Sequence, residues 1–238
     1  MRQYVLFVLA LWMIVGCHVP YAIIRQQPVQ EDPVWYQGKA FVSDQNEQVQ
    51  LVIAFEQQWD RLLIYELEIK NKGSEPILVR PEQIYSMMSP GPDVMTDEII
   101  HAVNPEAKLV TLDGALSRER AYIANSRTAS LIGTLANTVG TVAADTPEEA
   151  EYYVDEQLEL DARDANDEQE FLNNKANLND QKEVWLYEML RKTTVHPGES
   201  VRGRIAFPSR KVSAYSILHF PYGEQPITIP FIQLIQTP

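Results

Sequence analysis

Alternation of apolar and polar residues predicts β-strands in the first half of the chain. In the segment 62–70, every second residue is apolar and most of the intervening ones are charged, as in a half-buried strand; the apolar positions are Leu63, Tyr65, Leu67 and Ile69. A second apolar segment, 51–57, precedes it, and shorter apolar pieces over 76–87 are broken at Pro81. These patterns predict a series of antiparallel strands.

The same pattern returns near the C-terminus. The segment 193–210 contains a Pro-Gly turn signal at 197–198, and the segment 214–236 predicts two strands around the Pro-Tyr-Gly turn at 221–223. Proline cannot donate a ladder hydrogen bond, so Pro230 in the last strand predicts an edge position or a bulge.

Between these regions, from Pro105 to Arg191, helix-forming residues dominate. Thr146 followed by Pro147 and two glutamates is typical of a helix start. Residues at mostly three- and four-residue steps predict one narrow packing stripe, with the carboxylates elsewhere on the surface; the stripe is Ala150, Val154, Leu158, Ala162, Ala165, Leu172 and Ala176. We expect a further helix to begin at Asn179-Asp180.

Small residues recur along one side of the helical segment 129–144. They are Ala129, Gly133, Ala136 and Gly140. A membrane-spanning use is disfavoured, because threonines and Asn137 interrupt the apolar surface. The spacing therefore predicts close packing against another helix.

Strands, then helices, then strands predict an α+β fold. Neither terminal set of strands is large enough for an independent core, so the two sets must pair with each other across the helices. The expected architecture is an antiparallel β-sandwich interrupted by an α-helical insertion.

The N-terminus has the pattern of a secretory signal. Arg2 precedes an apolar run from Tyr4 to Val15, which is short for a membrane span. Ile14-Val15-Gly16-Cys17 then resembles the lipobox of bacterial lipoproteins. The resemblance implies cleavage before Cys17, acylation of its sulfur with palmitate-type chains, and attachment to a membrane. In many Gram-negative members an Asp after the cysteine retains the protein in the inner membrane; His18 at that position implies the outer membrane, facing the periplasm.

Two other interpretations of this region stay open. Cys17 is the only cysteine of the chain, and a free cysteine also packs as a small hydrophobic residue. Alternatively, the apolar region from Tyr4 to Ile24 remains uncleaved as an anchor, although His18 and Pro20 interrupt it.

A second resemblance concerns the strands. The motifs at 195–198, 201–208 and 62–79 resemble immunoglobulin-like domains of bacterial lipoproteins of unknown function. The Cys…Trp…Cys framework of antibody domains is absent, which argues against that branch. The resemblance implies an immunoglobulin-like sandwich and leaves the function open.

Together these observations predict four regions. Residues 1–16 are the signal peptide, and 17–38 comprise the lipidated cysteine and a proline-containing tether. Residues 39–102 together with 193–238 form the β-sandwich, and 103–192 form the acidic helical insertion.

Charge is concentrated in the insertion. The chain has a net charge of −13, and between Asp145 and Glu170 twelve carboxylates are opposed only by Arg163. Such a field repels a phosphate backbone, so we expect no nucleic-acid binding. The segment 145–176 is either a solvated helix face or a docking surface for a basic protein partner or loosely held divalent cations.

Signatures of catalysis and metal binding are missing from the sequence. His18, His101, His196 and His219 form no pair with ligand spacing, and there is no spare cysteine for a zinc site. Asp161, Asp164 and Asp167 lack the spacing and the glycine of an EF-hand loop. No nucleophile elbow or P-loop is present. We therefore expect no catalytic residue, no cofactor and no metal ligand.

The leading hypothesis is a membrane-anchored cell-envelope lipoprotein that acts as a binding or scaffolding module. A second hypothesis is a carrier or chaperone for a small or apolar ligand held between sandwich and helices. An envelope hydrolase is a third, less favoured one.

Overall fold

The computed structural model describes residues 23–91, 94, 98–210 and 214–236, in which strands at both ends flank two long helices. The helices are α1 (Pro105–Ala143) and α2 (Pro147–Tyr187). The strands are β1 (Ile23–Pro28), β2 (Val34–Tyr36), β3 (Lys39–Gln45), β4 (Val49–Trp59), β5 (Leu62–Asn71), β6 (Ile77–Val79), β7 (Tyr85–Ser89), β8 (Ile99–His101), β9 (Thr193–Val195), β10 (Ser200–Pro208), β11 (Tyr215–Phe220) and β12 (Ile227–Gln236). A 3₁₀ turn (Pro81–Gln83) follows β6.

The strands form two five-stranded sheets, in the orders β1-β12-β11-β7-β8 and β10-β5-β4-β3-β2, and a two-stranded sheet β6-β9. Neighbouring strands are antiparallel. In each sheet a strand from before the helices pairs with one from after them, as β5 does with β10 and β7 with β11. This pairing confirms the predicted α+β class, an antiparallel β-sandwich interrupted by a helical insertion.

The core lies between the two large sheets. The four alternating apolar residues of β5 are all completely buried, which confirms the predicted period of two. Tyr65 of β5 makes edge contacts with Phe207 of its own sheet and with Phe231 of the other, at centroid distances of 5.8 and 5.3 Å. The aromatic cluster therefore joins the two layers.

The segment 17–38 differs from the predicted tether. Residues 17–22 lie outside the described residues, but Ile23–Pro28 pairs with β12 in register from Ile23↔Gln236 to Pro28↔Phe231. Ile24 is only 1% exposed. The three prolines of this region made the sequence resemble a tether. Pro28 is compatible with the strand because it is its last residue, where a missing N–H costs little.

Pro230 does not mark an edge. Its strand, β12, lies between β1 and β11. The Pro230 carbonyl accepts a hydrogen bond from the Val29 N–H at 3.0 Å, just beyond the last residue of β1. The missing N–H of Pro230 points to the same side, where the ladder has already ended, so an inner strand tolerates the proline.

The helix boundaries confirm one prediction and correct another. The Thr146 side chain accepts a hydrogen bond from the Glu149 N–H at 3.2 Å, as the predicted N-cap should. The helix then continues through Asn179-Asp180 to Tyr187, and no further helix begins there. No proline or glycine occurs between Pro147 and Tyr187 to interrupt the backbone hydrogen bonds.

Candidate interaction surfaces of the helical hairpin

The two helices form an antiparallel hairpin joined by three residues, 144–146. Helices of 39 and 41 residues extend about 60 Å at 1.5 Å per residue. Both ends of the hairpin are fixed to β10. Val103 N–H donates to the Ala206 carbonyl at 2.8 Å, and Leu190 N–H donates to the Arg204 carbonyl at 2.7 Å. The sandwich thus holds the base of a long arm.

The side chains between the two helices follow alternating steps of three and four, the spacing of a heptad repeat. We call them the seam, and all are buried or half-buried. The seam residues are Leu109, Leu112, Leu116, Glu119, Ile123, Ser126, Ser130, Gly133, Asn137 and Gly140 of α1, and Tyr153, Gln157, Leu160, Asp164, Asp167, Phe171, Asn174, Leu178, Gln181 and Trp185 of α2.

Near the sandwich the seam is mostly apolar. Trp185 is completely buried and, with Leu109 and Leu112, belongs to a cluster that includes Ile64 and Ala206 of the sheet. We call residues 105–123 and 171–187 the proximal half. Its apolar seam continues the hydrophobic packing of the sandwich.

Toward the tip the seam becomes polar. Ser126 donates to the Asp167 carboxylate at 2.6 Å, Ser130 donates to Asp164, and the Asn137 amide donates to Gln157 at 3.3 Å. We call residues 124–143 and 147–170 the distal half. In the distal half, hydrogen bonds between side chains join the two helices, whereas in the proximal half most seam contacts are between apolar side chains.

The two seam glycines confirm the predicted close helix packing. A Cβ on Gly133 would lie 2.9 Å from Leu160, and one on Gly140 would lie 2.5 Å from the Tyr153 ring. Ala129 and Ala136 of the predicted stripe are exposed.

The acidic surface lies on α2, where the sequence placed it. Of the twelve carboxylates between Asp145 and Glu170, ten are exposed, while Asp164 and Asp167 take part in the seam. Glu168 forms an ion pair with Arg127 of α1 at 3.0 Å. Glu156 raises the pKa of the exposed Tyr152 hydroxyl, because the carboxylate disfavours a second negative charge nearby. The outward field of α2 is strongly negative.

The predicted packing stripe of α2 is wrong. Its members from Val154 to Ala176 are exposed, and Ala150 is half-buried. The seam lies on another side of the helix because α1 presents hydroxyl donors and glycines, which accommodate Asp164, Asp167, Leu160 and Tyr153. A stripe chosen by hydrophobicity alone misses a partner face made of polar and small residues.

A further surface was missed by sequence reasoning. Five large aliphatic side chains on the distal part of α1 are 64–84% exposed; they are Leu131, Ile132, Leu135, Val139 and Val142. Their spacing puts them opposite the seam, and we call them the outer stripe. The available signal was a second set of three- and four-residue steps in a segment without charges.

The outer surface of the second sheet carries a charged network. Lys39 contacts Glu66 at 2.8 Å and Glu56 at 3.2 Å. From β10, Arg202 contacts Glu66 and Arg204 contacts Glu56. Burial raises the pKa of Glu66, but the hydrogen bonds from Lys39 and Arg202 outweigh it and hold that pKa below its ordinary value. Beside this network a groove of about 550 Å³ is lined by apolar residues that include Val34, Tyr36 and Phe41.

Two of the described histidines, His101 and His219, lie against the Tyr85 ring, at centroid distances of 5.8 and 4.7 Å. His101 Nδ1 also lies 3.0 Å from the Glu82 carbonyl oxygen. Burial lowers the pKa of His219. Asp161 accepts a hydrogen bond from Gln157, apart from the two seam aspartates. Within the described ranges, no group of three or more His, Cys, Asp or Glu side chains is arranged to hold a metal ion.

The predicted lipidation site, Cys17, lies outside the described residues, as do the predicted signal peptide and the lipobox-like motif. Among the helices that the structure describes, none is long and apolar enough to cross a membrane. Comparisons of the chain with protein-family models, with curated proteins and with solved structures found no match.

Proposed function

We propose that this protein is a lipid-anchored cell-envelope lipoprotein that acts as a binding or scaffolding module. The immunoglobulin-like sandwich is its rigid body and the hairpin is its arm. The observation that carries the proposal is the concentration of ten exposed carboxylates within residues 145–170, in the distal half of an arm about 60 Å long. The arm presents this acidic surface to a basic protein partner.

Electrostatics supports a protein partner over a nucleic acid. The exposed carboxylates of α2 are opposed in that helix segment by Arg163 alone, and of the α1 cations Arg127 is already paired with Glu168. A field of one sign speeds the encounter with an oppositely charged surface and repels like charge.

The test neutralises the acidic surface without shortening the arm. Glu148, Glu151, Asp155 and Glu159, all exposed, are replaced by the corresponding amides in the full-length chain. A control variant carries four exposed carboxylates of the sandwich as amides: Glu31, Glu47, Glu75 and Glu224. Cross-linking in intact cells, followed by mass spectrometry, compares captured proteins.

We expect the α2 variant to lose specific cross-links to a basic partner, while the sandwich variant keeps them. The two variants carry the same change in net charge, so equal loss from both would show a nonspecific charge effect. Unchanged capture by the α2 variant would contradict the proposal.

The anchor is tested by intact mass. Wild-type protein recovered from membranes should lack residues 1–16 and carry acyl chains, since several chains on one residue give stable attachment. Cys17→Ser should lose both features. A full-length, unmodified mass in wild type would instead favour an uncleaved anchor.

The groove beside β2 favours the second hypothesis, a carrier for a small or apolar ligand. Its volume of about 550 Å³ is in the range of ligand pockets, and its lining mixes apolar residues with a few charges, as such pockets do. Between sandwich and helices, where the sequence predicts the ligand, Trp185 and Met189 are buried and a smaller pocket of about 250 Å³ is lined by Trp59, Ile64 and Val184 among others. Native mass spectrometry of gently purified protein would show a bound small molecule if the groove carries one.

A further inference from the structure

The outer stripe of α1 has the pattern of a second helix-packing face. Ile132, Leu135, Val139 and Val142 follow steps of three, four and three, the spacing by which one helix packs along another. From Thr128 to Val142 there is no charged residue. Large aliphatic side chains thus face outward while the seam behind them holds serines, aspartates and amides.

Charge restricts what can cover this face. An acidic helix such as α2 would leave its carboxylates against hydrocarbon, which is unfavourable. The uncharged face of another α1 carries no such penalty, and its aliphatic side chains have the same spacing. We propose that two copies of this chain associate through their outer stripes and form a four-helix bundle with the α2 helices on the outside.

The charges also select the orientation of the two copies. A parallel pair would place the acidic tips, Asp145, Glu148 and Glu149, side by side. In an antiparallel pair centred on Leu135, the tip of one copy falls near position 125 of the other, within two helical turns of Arg120. Arg127 also lies nearby, but it pairs with Glu168 of its own copy, so Arg120 supplies the attraction. The antiparallel pair therefore replaces repulsion between the acidic tips by attraction to a basic residue. In this arrangement the same surface patch of each copy contacts its counterpart, as a two-fold dimer requires.

The buried area is sufficient for a specific dimer. Burying one Leu, Ile or Val side chain removes on the order of 100 Å² from water. Five such residues from each of two copies remove roughly 1,000 Å², about the lower limit for a specific interface. The tips overlap only the distal part of each partner arm, so the sandwiches remain apart.

The first experiment measures association of the full-length chain by sedimentation equilibrium in density-matched detergent. Leu135→Glu places a carboxylate in the centre of the outer stripe, and Leu158→Glu places the same group on α2. The two leucines are similarly exposed, at 67% and 61%, so neither substitution disturbs the core. We expect wild type and Leu158→Glu to dimerise equally, and Leu135→Glu to raise the dimer Kd by about 100-fold or more.

The second experiment tests the interface in membranes without detergent. Full-length chains carrying Leu135→Cys or Leu158→Cys are treated with a short bis-maleimide cross-linker, with wild type as the background for Cys17. A cross-linked dimer formed by Leu135→Cys alone supports the antiparallel pair. Equal cross-linking by both variants, or by neither, would overturn it, as would equal Kd values for wild type and Leu135→Glu. The acidic surface proposed above lies on the other helix, so this outcome would leave that proposal unaffected.

Discussion

The proximal and distal halves of the hairpin share one backbone geometry and differ in what they bury. In the proximal half the seam holds Leu109, Leu112 and Trp185, and it continues into the sandwich. In the distal half the seam holds Ser130 with Asp164 and glycines with larger side chains, while leucine, isoleucine and valine face outward. Both halves have the heptad spacing, so the chemistry of the buried side chains decides how strongly the two helices associate in each half.

This contrast implies a gradient of stability along the arm. Buried hydrocarbon stabilises by about 25 cal/mol per Å², whereas an intramolecular hydrogen bond adds a net of only about 1 kcal/mol, since water offers the same bonds to the unfolded chain. The distal half should therefore open more readily than the proximal half, unless the outer stripe is covered.

Removing the side chain of Trp185, which packs the hairpin against the sandwich, should have the largest effect on stability. Trp185→Ala deletes a completely buried side chain, and such deletions cost about 3–5 kcal/mol. Denaturant unfolding should show this loss in the free energy of unfolding. Tyr187→Ala, two residues further and 81% exposed, is the matched control and should change it by less than about 0.5 kcal/mol. Equal effects of the two substitutions would contradict the stabilising role of the buried Trp185 side chain.

Hydrogen exchange measures the gradient directly. Under conditions in which wild type is monomeric, backbone amides of 124–143 and 147–170 should exchange about 100-fold faster than those of 105–123 and 171–187, because local opening there exposes little hydrocarbon. Exchange followed by mass spectrometry resolves the two halves. Uniform protection along the arm would contradict the gradient of stability, and protection of the distal half that rises with protein concentration would support the dimer.

Converting one distal layer to the proximal type should stabilise the arm. In Ser130→Leu with Asp164→Leu, a polar pair is replaced by hydrocarbon on both sides, so no buried polar group is left unpaired. We expect a gain of about 1–2 kcal/mol in the opening free energy of the distal amides. The single variant Ser130→Ala leaves Asp164 without its donor and should lower that free energy, which separates the effect of polarity from that of packing.

The ion pair at the base should have the smallest effect and a defined pH dependence. Arg191 donates two hydrogen bonds of 2.7 Å to Glu106, and these bonds hold the pKa of Glu106 below its ordinary value. The pair is largely exposed, so solvent screening limits the cost of Glu106→Gln to below about 1 kcal/mol at neutral pH.

A depressed pKa in the folded chain gives stability that is present above the unfolded pKa and lost as the pH falls through the folded pKa. The difference in unfolding free energy between wild type and Glu106→Gln should therefore vanish at acidic pH. Glu168→Gln in the distal half, where Arg127 makes a single contact of 3.0 Å, is the control and should show a smaller difference at neutral pH. If the difference in unfolding free energy between wild type and Glu106→Gln persisted at acidic pH, it could not come from the ion pair between Glu106 and Arg191.

Much of the architecture was predictable because it depends on local patterns. The alternation in β5, the N-cap at Thr146 and the need for the terminal strands to pair across the helices all follow from backbone geometry and from the demand for a buried face. Strand β1 was missed, since the prolines in and around it weaken the local signal and its stability comes from pairing with β12, more than 200 residues away in the sequence.

Of the two candidate surfaces of the hairpin, one was predictable from the sequence and the other was not. The acidic surface of α2 was predictable, because a dense run of carboxylates cannot be buried without partners. The outer stripe was not, since hydrophobic periodicity normally identifies the inward face, and in the distal hairpin the inward face is built from serines, aspartates and glycines.

The amino-acid sequence by itself determined the class of fold, the extent of the helical region, the helix start at Thr146 and the location of the negative charge, because propensity, capping and periodicity act over a few residues. Only the tertiary structure decided which side of each helix is inside. Ser126 and Ser130 satisfy Asp167 and Asp164 across the seam, and the glycines beside them admit Leu160 and Tyr153. Such complementarity belongs to a pair of surfaces, and neither helix shows it alone.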